Sequence, residues 1–235
     1  MDGRFERGAA ARPARPPSFA VTGPLSTPRR ADLRDARGRR SLLHGVAHIE
    51  LSAVELALMA VGDFPGEPEE YYRDMLQVAA EEIDHARLLI ARLRELGGEL
   101  GEEPVHLGLW ETASRFDRLE ERLAVVPRVL EAKGLDVSAR LRRELRAAGD
   151  ERSAQLLDRI YRDEIGHVAL GTKWHRRACA RRGLDAERHL LALARPFLPR
   201  RRPAALDRDG RLRAGFTERE LGLLEAPPAA RADAP

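Results

Sequence analysis

The chain has 235 residues, of which 34% are charged and 43% hydrophobic, enough for one large domain or two small ones around a buried core. Its one cysteine, Cys179, excludes a disulfide framework and any cysteine-rich zinc module. The net charge of +3 is an average over unlike parts: residues 1–40 carry +6, residues 186–235 carry +3, and the stretch 41–185 carries −6.

Residues 8–30 are rich in Pro, Ala and Gly without periodicity, so 1–40 reads as an extended arm, ordered only where it packs on something. From Ser41, a plausible N-cap, Leu43, Val46, Ala47, Val54, Ala57, Leu58 and Val61 recur at helical spacing. FPGEP (64–68) stops this helix, and a second is expected from about Glu69 to Leu96 before Gly97-Gly98. Residues 98–110 form a long connection. A third helix is expected over 111–133, kinked by Pro127 and interrupted at Gly134, with helical pattern resuming from Ser138 to Ala148. Asp150 caps a fourth helix reaching about Arg182. No segment alternates as a strand does. The expected fold is all-α: an up-down four-helix bundle over 41–185 with a long crossover between helices 2 and 3. Beyond it lies a 186–235 extension with a short helix near 217–225, opened by the capping box of Thr217 and Glu220. No apolar run approaches the roughly 18 to 20 residues of a membrane span, and residues 1–17 lack a signal-peptide stretch. A cytoplasmic location without membrane contact is therefore expected.

Two motifs carry the chemistry. Glu82-Ile83-Asp84-His85 and Glu164-Ile165-Gly166-His167 are both Glu-x-x-His inside long helices, where a three-residue spacing puts carboxylate and imidazole on one face. Each also interrupts an apolar stripe, and a carboxylate facing a core is costly unless paired or bound to metal. A third match, Glu103-Pro104-Val105-His106, lies in the Gly/Pro-containing connection and reads as solvated loop. Each helical motif needs a carboxylate from its partner helix. Glu50 lies 32 residues before Glu82, and Glu131 lies 33 before Glu164. Measured from the intervening turns, both pairings are out of level by about three residues, or about 4.5 Å. Glu55 would be displaced by about 12 Å and is the reserve. For Glu131 the competing reading is an exposed charge on a kinked helix.

Glu50, Glu82, His85, Glu131, Glu164 and His167 thus form a thiolate-free, carboxylate-rich ligand set suited to two iron ions, or to Fe/Mn or Mn/Mn pairs. Tyr161 shares the face of Glu164 and is the candidate catalytic side chain, with a plain core tyrosine as its competing reading. Asp84 and Asp163 adjoin the motifs as candidate supporting groups or surface charges. His44 and His48 lack the ligand spacing, and Trp174 reads as packing.

At these residues the sequence resembles a known group. LLHGVAHIELSAVELAL (42–58), AAEEIDHARLL (79–89), VPRVLEAKGLDV (126–137) and IYRDEIGHVALG (160–171) are similar to a bacterial ferritin-like family of unknown function. More distantly the layout resembles the diiron hydroxylase of hypermodified tRNA adenosine, rubrerythrins and bacterioferritins. The resemblance implies a ferritin-like bundle with a di-metal centre at the six residues named, and it supplies no substrate.

The leading expectation is a non-haem diiron or Fe/Mn oxidoreductase that activates dioxygen, as co-substrate, on an unidentified substrate, served by an electron-donor protein. Iron handling by ferroxidase activity or storage is the alternative, although a monomer or dimer is expected rather than a cage. A helical module binding RNA or protein through the Arg-rich ends is a third reading. A tRNA-modifying hydroxylase would combine the first and third. Lys occurs only at 133 and 173, so the Arg bias is general and weakens a nucleic-acid reading.

Overall fold

The computed structural model describes residues 13, 15–17, 19–23, 32–198 and 206–226. Every regular element among them is helical apart from one isolated parallel bridge, Val21 to Val105, so the all-α class holds. The remaining arm and tail residues, on which part of the expected extensions falls, lie outside the described residues.

Helix α1 (Ala36–Asp63) begins five residues before the expected cap. Asp35 caps it by accepting from the Arg37 amide, whereas Ser41 lies within the helix and donates to Glu103 Oε2 at 2.7 Å. Asp caps as well as Ser, and the apolar face already starts at buried Leu42 and Leu43. Helix α2 (Glu69–Glu95) packs on α1 as a hairpin and ends where Gly97, at φ +76°, takes the left-handed conformation. The Gly98 amide then returns to the Leu93 carbonyl at 3.0 Å.

The third expected helix is divided differently. The chain forms α3 (Gly108–Ala113), breaks over 114–118, and resumes as α4 (Leu119–Val125), a π turn (Val126–Glu131) and α5 (Ala132–Ala147). Gly134 does not interrupt the helix. A helical glycine costs about 1 kcal/mol relative to Ala, and fully buried Ala132 and Leu135 beside it supply packing that offsets this. Pro127 sits inside the π turn, which accommodates a residue lacking the N–H that an α-helix needs. Helix α6 (Glu151–Arg181) starts where expected, with Asp150 Oδ1 accepting from the Ser153 amide at 3.0 Å. The chain continues through α7 (Ala186–Ala194), a 3-10 turn (Arg195–Phe197), α8 (Arg208–Arg213) and α9 (Glu218–Glu225). The expected capping box opens α9: the Glu220 amide donates to Thr217 Oγ1 at 3.0 Å, and the Thr217 amide to Glu220 Oε2 at 2.8 Å.

The chain divides into two compact units. The first comprises residues 1–117 and 141–160. Its core joins Leu43 and Ala47 of α1, Leu89 and Leu93 of α2, Leu141 and Leu145 of α5, and Ala154, Leu157 and Ile160 of α6. Part of the arm packs here, as its extended character required: the Thr22 amide donates to the Val105 carbonyl at 2.8 Å, and the Val105 amide to the Ala20 carbonyl at 2.9 Å. The second unit comprises residues 118–140 and 161–235, with Val129, Leu135, Ile165, Val168, Leu190, Phe216 and Leu221 in its core.

Helix α1 corrects one expectation. It contains an eighteen-residue window apolar enough, by length and composition alone, to cross a membrane. The sequence disguises it because His and Glu residues interrupt the run, and several of these, His44, His48 and Glu50, are buried within the unit.

Candidate metal centre

In the first unit, α1 and α2 bring together three of the expected ligands. Glu50, Glu82 and His85 are 5%, 0% and 1% exposed, and each offers one ligand atom within 4.8 Å of the others. His85 Nδ1 lies 3.2 Å from Glu50 Oε2 and 3.3 Å from Glu82 Oε2. Ionised carboxylates only accept hydrogen bonds, and that single nitrogen supplies at most one N–H for two facing oxygens. Carboxylates held this deep are costly as bare anions, and a proton, a neighbouring cation or a metal ion offsets that cost.

Glu55, the reserve candidate, is otherwise engaged. Its carboxylate is ion-paired to Arg15 of the arm, with Oε2 2.8 Å from Nη2. Arg15 also donates to Ser52 Oγ at 3.3 Å and to His48 Nε2 at 3.2 Å. Burial, then the neighbouring guanidinium, pushes the His48 imidazole down to about 4, so it accepts as a neutral ring. His44 is also neutral by burial, and its Nε2 accepts from the Gly101 amide at 2.9 Å. Both histidines thus hold structure in place, as non-ligands would. His106 lies in the connection, its Nδ1 accepting from the Gly108 amide.

In the second unit, Glu164 and His167 share a face of α6, with His167 Nδ1 3.7 Å from Glu164 Oε1. The same ring nitrogen faces the carboxylate three residues earlier in both motifs. His167 is buried and Glu164 half-buried. Glu131 closes the π turn and is half-buried.

Tyr161 is half-buried, and its hydroxyl donates to Asp207 Oδ2 at 2.5 Å. Asp207 caps α8 through the Gly210 amide, and its own amide donates to Asp136 Oδ1 at 2.9 Å. The hydroxyl proposed for chemistry is thereby committed to a C-terminal aspartate. Asp84 is exposed and Asp163 half-buried. Trp174 is fully buried, with the Lys173 and Arg177 cations 4.8 and 4.7 Å from its ring, which is packing as expected.

Sequence reasoning missed a second cluster in this unit. His175 and Cys179, one turn apart on α6, meet His189 of α7. His175 Nε2 lies 3.0 Å from His189 Nδ1, and Cys179 Sγ lies 3.4 Å and 3.7 Å from these two nitrogens. Buried Arg128 donates to His175 Nδ1 at 2.9 Å and to Glu220 Oε1 at 2.7 Å. Burial and then Arg128 push the His175 imidazole down to about 3, while burial and then Glu120 push the Cys179 thiol up to about 11. The His-x-x-x-Cys spacing is a readable helical signal. His189 is not, because it depends on the reversal at Gly183.

A family model described as a protein of unknown function, DUF455, matches residues 3–222. An uncharacterised protein of Haemophilus influenzae is 36% identical over 209 residues, covering 86% of this chain and 72% of its own length. No solved structure matches the chain.

Proposed function

The chain belongs to the DUF455 family of proteins of unknown function, and we propose that it is a ferritin-like, non-haem di-metal oxidoreductase of the cytoplasm acting with dioxygen on an unidentified substrate. The observation that carries this reading is the convergence of Glu50, Glu82 and His85, three ionisable groups almost entirely withdrawn from water. Glu50, Glu82 and His85 would hold one ion; Glu131, Glu164 and His167 would hold the second. The repetition of Glu-x-x-His at matched distances from a preceding Glu supports treating the two triads alike.

The donor set fits iron or manganese: carboxylate and imidazole without thiolate, in a number that leaves positions open on each ion. An iron pair bound there supplies electron transfer to dioxygen. The chain's own contribution is to orient the donors. The long helices fix Glu82 and His85 three residues apart, and burial keeps competing water from the carboxylates. Arg15 neutralises Glu55, so a neighbouring anion does not compete for the ion meant for Glu50.

Dioxygen uptake by protein loaded anaerobically with ferrous iron tests the function. The expected result is rapid uptake with about two irons oxidised per chain, lost in Glu82→Gln and retained in Glu55→Gln. Oxidation continuing far past two irons would replace this reading with iron storage. Wild-type protein that consumes dioxygen no faster than free ferrous ion would remove the oxidase reading.

A further inference from the structure

We propose that His175, Cys179 and His189 form a separate metal site, for a zinc-class divalent ion held by one thiolate and two imidazoles. The three donor atoms lie 3.0, 3.4 and 3.7 Å apart. Donors around one tetrahedral zinc, at about 2.0–2.1 Å for nitrogen and about 2.3 Å for sulfur, are separated by roughly 3.3–3.6 Å. The two sulfur separations lie close to that range, and the 3.0 Å imidazole–imidazole contact opens by a few tenths of an ångström when an ion enters between the rings.

The fold prepares each of them. His175 and Cys179 are four residues apart, on one face of a long helix, and both are fully buried. Gly183, at φ +65°, turns the chain after α6, with the Leu184 amide returning to the Cys179 carbonyl at 2.9 Å. Asp185 then caps α7 through the Glu187 and Arg188 amides, both at 3.0 Å, which fixes the helix that carries His189. Arg128, held by Glu220, donates to the far edge of the His175 ring in the metal-free protein, a contact that ion binding exchanges.

Thiolate with imidazole selects zinc, cobalt or copper over the iron and manganese suited to the carboxylate triads. The protons balance as follows. Arg128 is always a donor, so His175 Nδ1 accepts and the ring proton rests on Nε2 without metal. As the ion binds, the Cys179 thiol proton leaves to solvent. The ring proton moves to Nδ1, and Arg128 gives up that contact while keeping Glu220. Three protein ligands leave the fourth position to water.

Cobalt is the probe, because a thiolate ligand gives an intense near-ultraviolet charge-transfer band that carboxylates and imidazoles do not. Full-length metal-free protein titrated with Co²⁺ is expected to develop this band to about one equivalent and lose it on addition of Zn²⁺. The band is expected in Glu82→Gln and absent in Cys179→Ser. His189→Gln, on a half-buried position, tests the site should Cys179→Ser fail to fold. It should weaken cobalt affinity by more than the roughly 10–100-fold expected for an outer-shell change. No thiolate band in the wild type, or unchanged affinity in His189→Gln, overturns the proposal.

Discussion

At the scale of single residues, the decisive contrast is between two glutamates on α1. Glu50 turns its carboxylate to His85, while Glu55 is answered by Arg15 from the arm. Sequence periodicity and helical rise preferred Glu50, but Arg15 is 40 residues away from Glu55 and no local pattern announces it. Glu55→Gln should therefore loosen the arm, read as faster proteolysis near residue 15, and leave metal content unchanged. A loss of metal equal to that of Glu82→Gln would contradict this division of roles. Tyr161 teaches the same point: its helix face was legible, but its partner Asp207 lies 46 residues away. The buried neutral histidines set a pH dependence. His44 titrates below the ordinary imidazole range because it is buried, and its Nε2 lone pair accepts from Gly101. Protonation is thus opposed only in the folded state. Its contribution is complete above about pH 6.5 and falls as the pH drops below that value, where the unfolded chain binds the proton first. Urea unfolding from pH 7.5 to 5 should show this loss. In His44→Gln the pH dependence should be shallower, and an unaltered slope would exclude His44 as a source.

At the scale of elements, the starts and stops set by capping and turn chemistry were mostly legible, as at Asp150, Gly97 and the Thr217 box. The start of α1 was not, because Asp35 and Ser41 are equally good local caps and only packing chooses between them. The division of the third helix was hidden for a related reason. Gly134 looks like a breaker, yet it lies beside buried Ala132 and Leu135, whereas the true break at 114–118 lacks such support. Pro127 distorts the helix into a π turn, and its ring occupies space left open by Gly171 of α6. A Cβ at position 171 would meet Pro127 Cγ at 2.3 Å. Gly171→Ala should accordingly cost about 1–3 kcal/mol, the usual range for overpacking. Adding Pro127→Ala should recover part of that loss, so additive destabilisation in the double variant would argue against the contact. Thr217→Ala removes one side of the α9 capping box and should cost about 1 kcal/mol in denaturant unfolding. An effect near zero would mean α9 is held by its buried Leu221 and Leu224 alone.

At the scale of the whole molecule, the uneven charge acquires a structural meaning. Several arginines of the basic ends serve acids of their own unit: Arg15 pairs with Glu55, Arg211 with Asp136, and Arg219 with Glu187. Much of the acidic excess in the middle is ordinary surface, but Glu50 and Glu82 are not, and these two carry the functional reading. Metal content measures that reading most directly. Protein produced with ample iron and manganese should contain about two of these ions per chain, counted together. Glu82→Gln and His167→Gln should each lower the count, while Glu55→Gln and Cys179→Ser should not. Wild-type protein that holds neither metal, or a count unmoved by Glu82→Gln, would contradict the account.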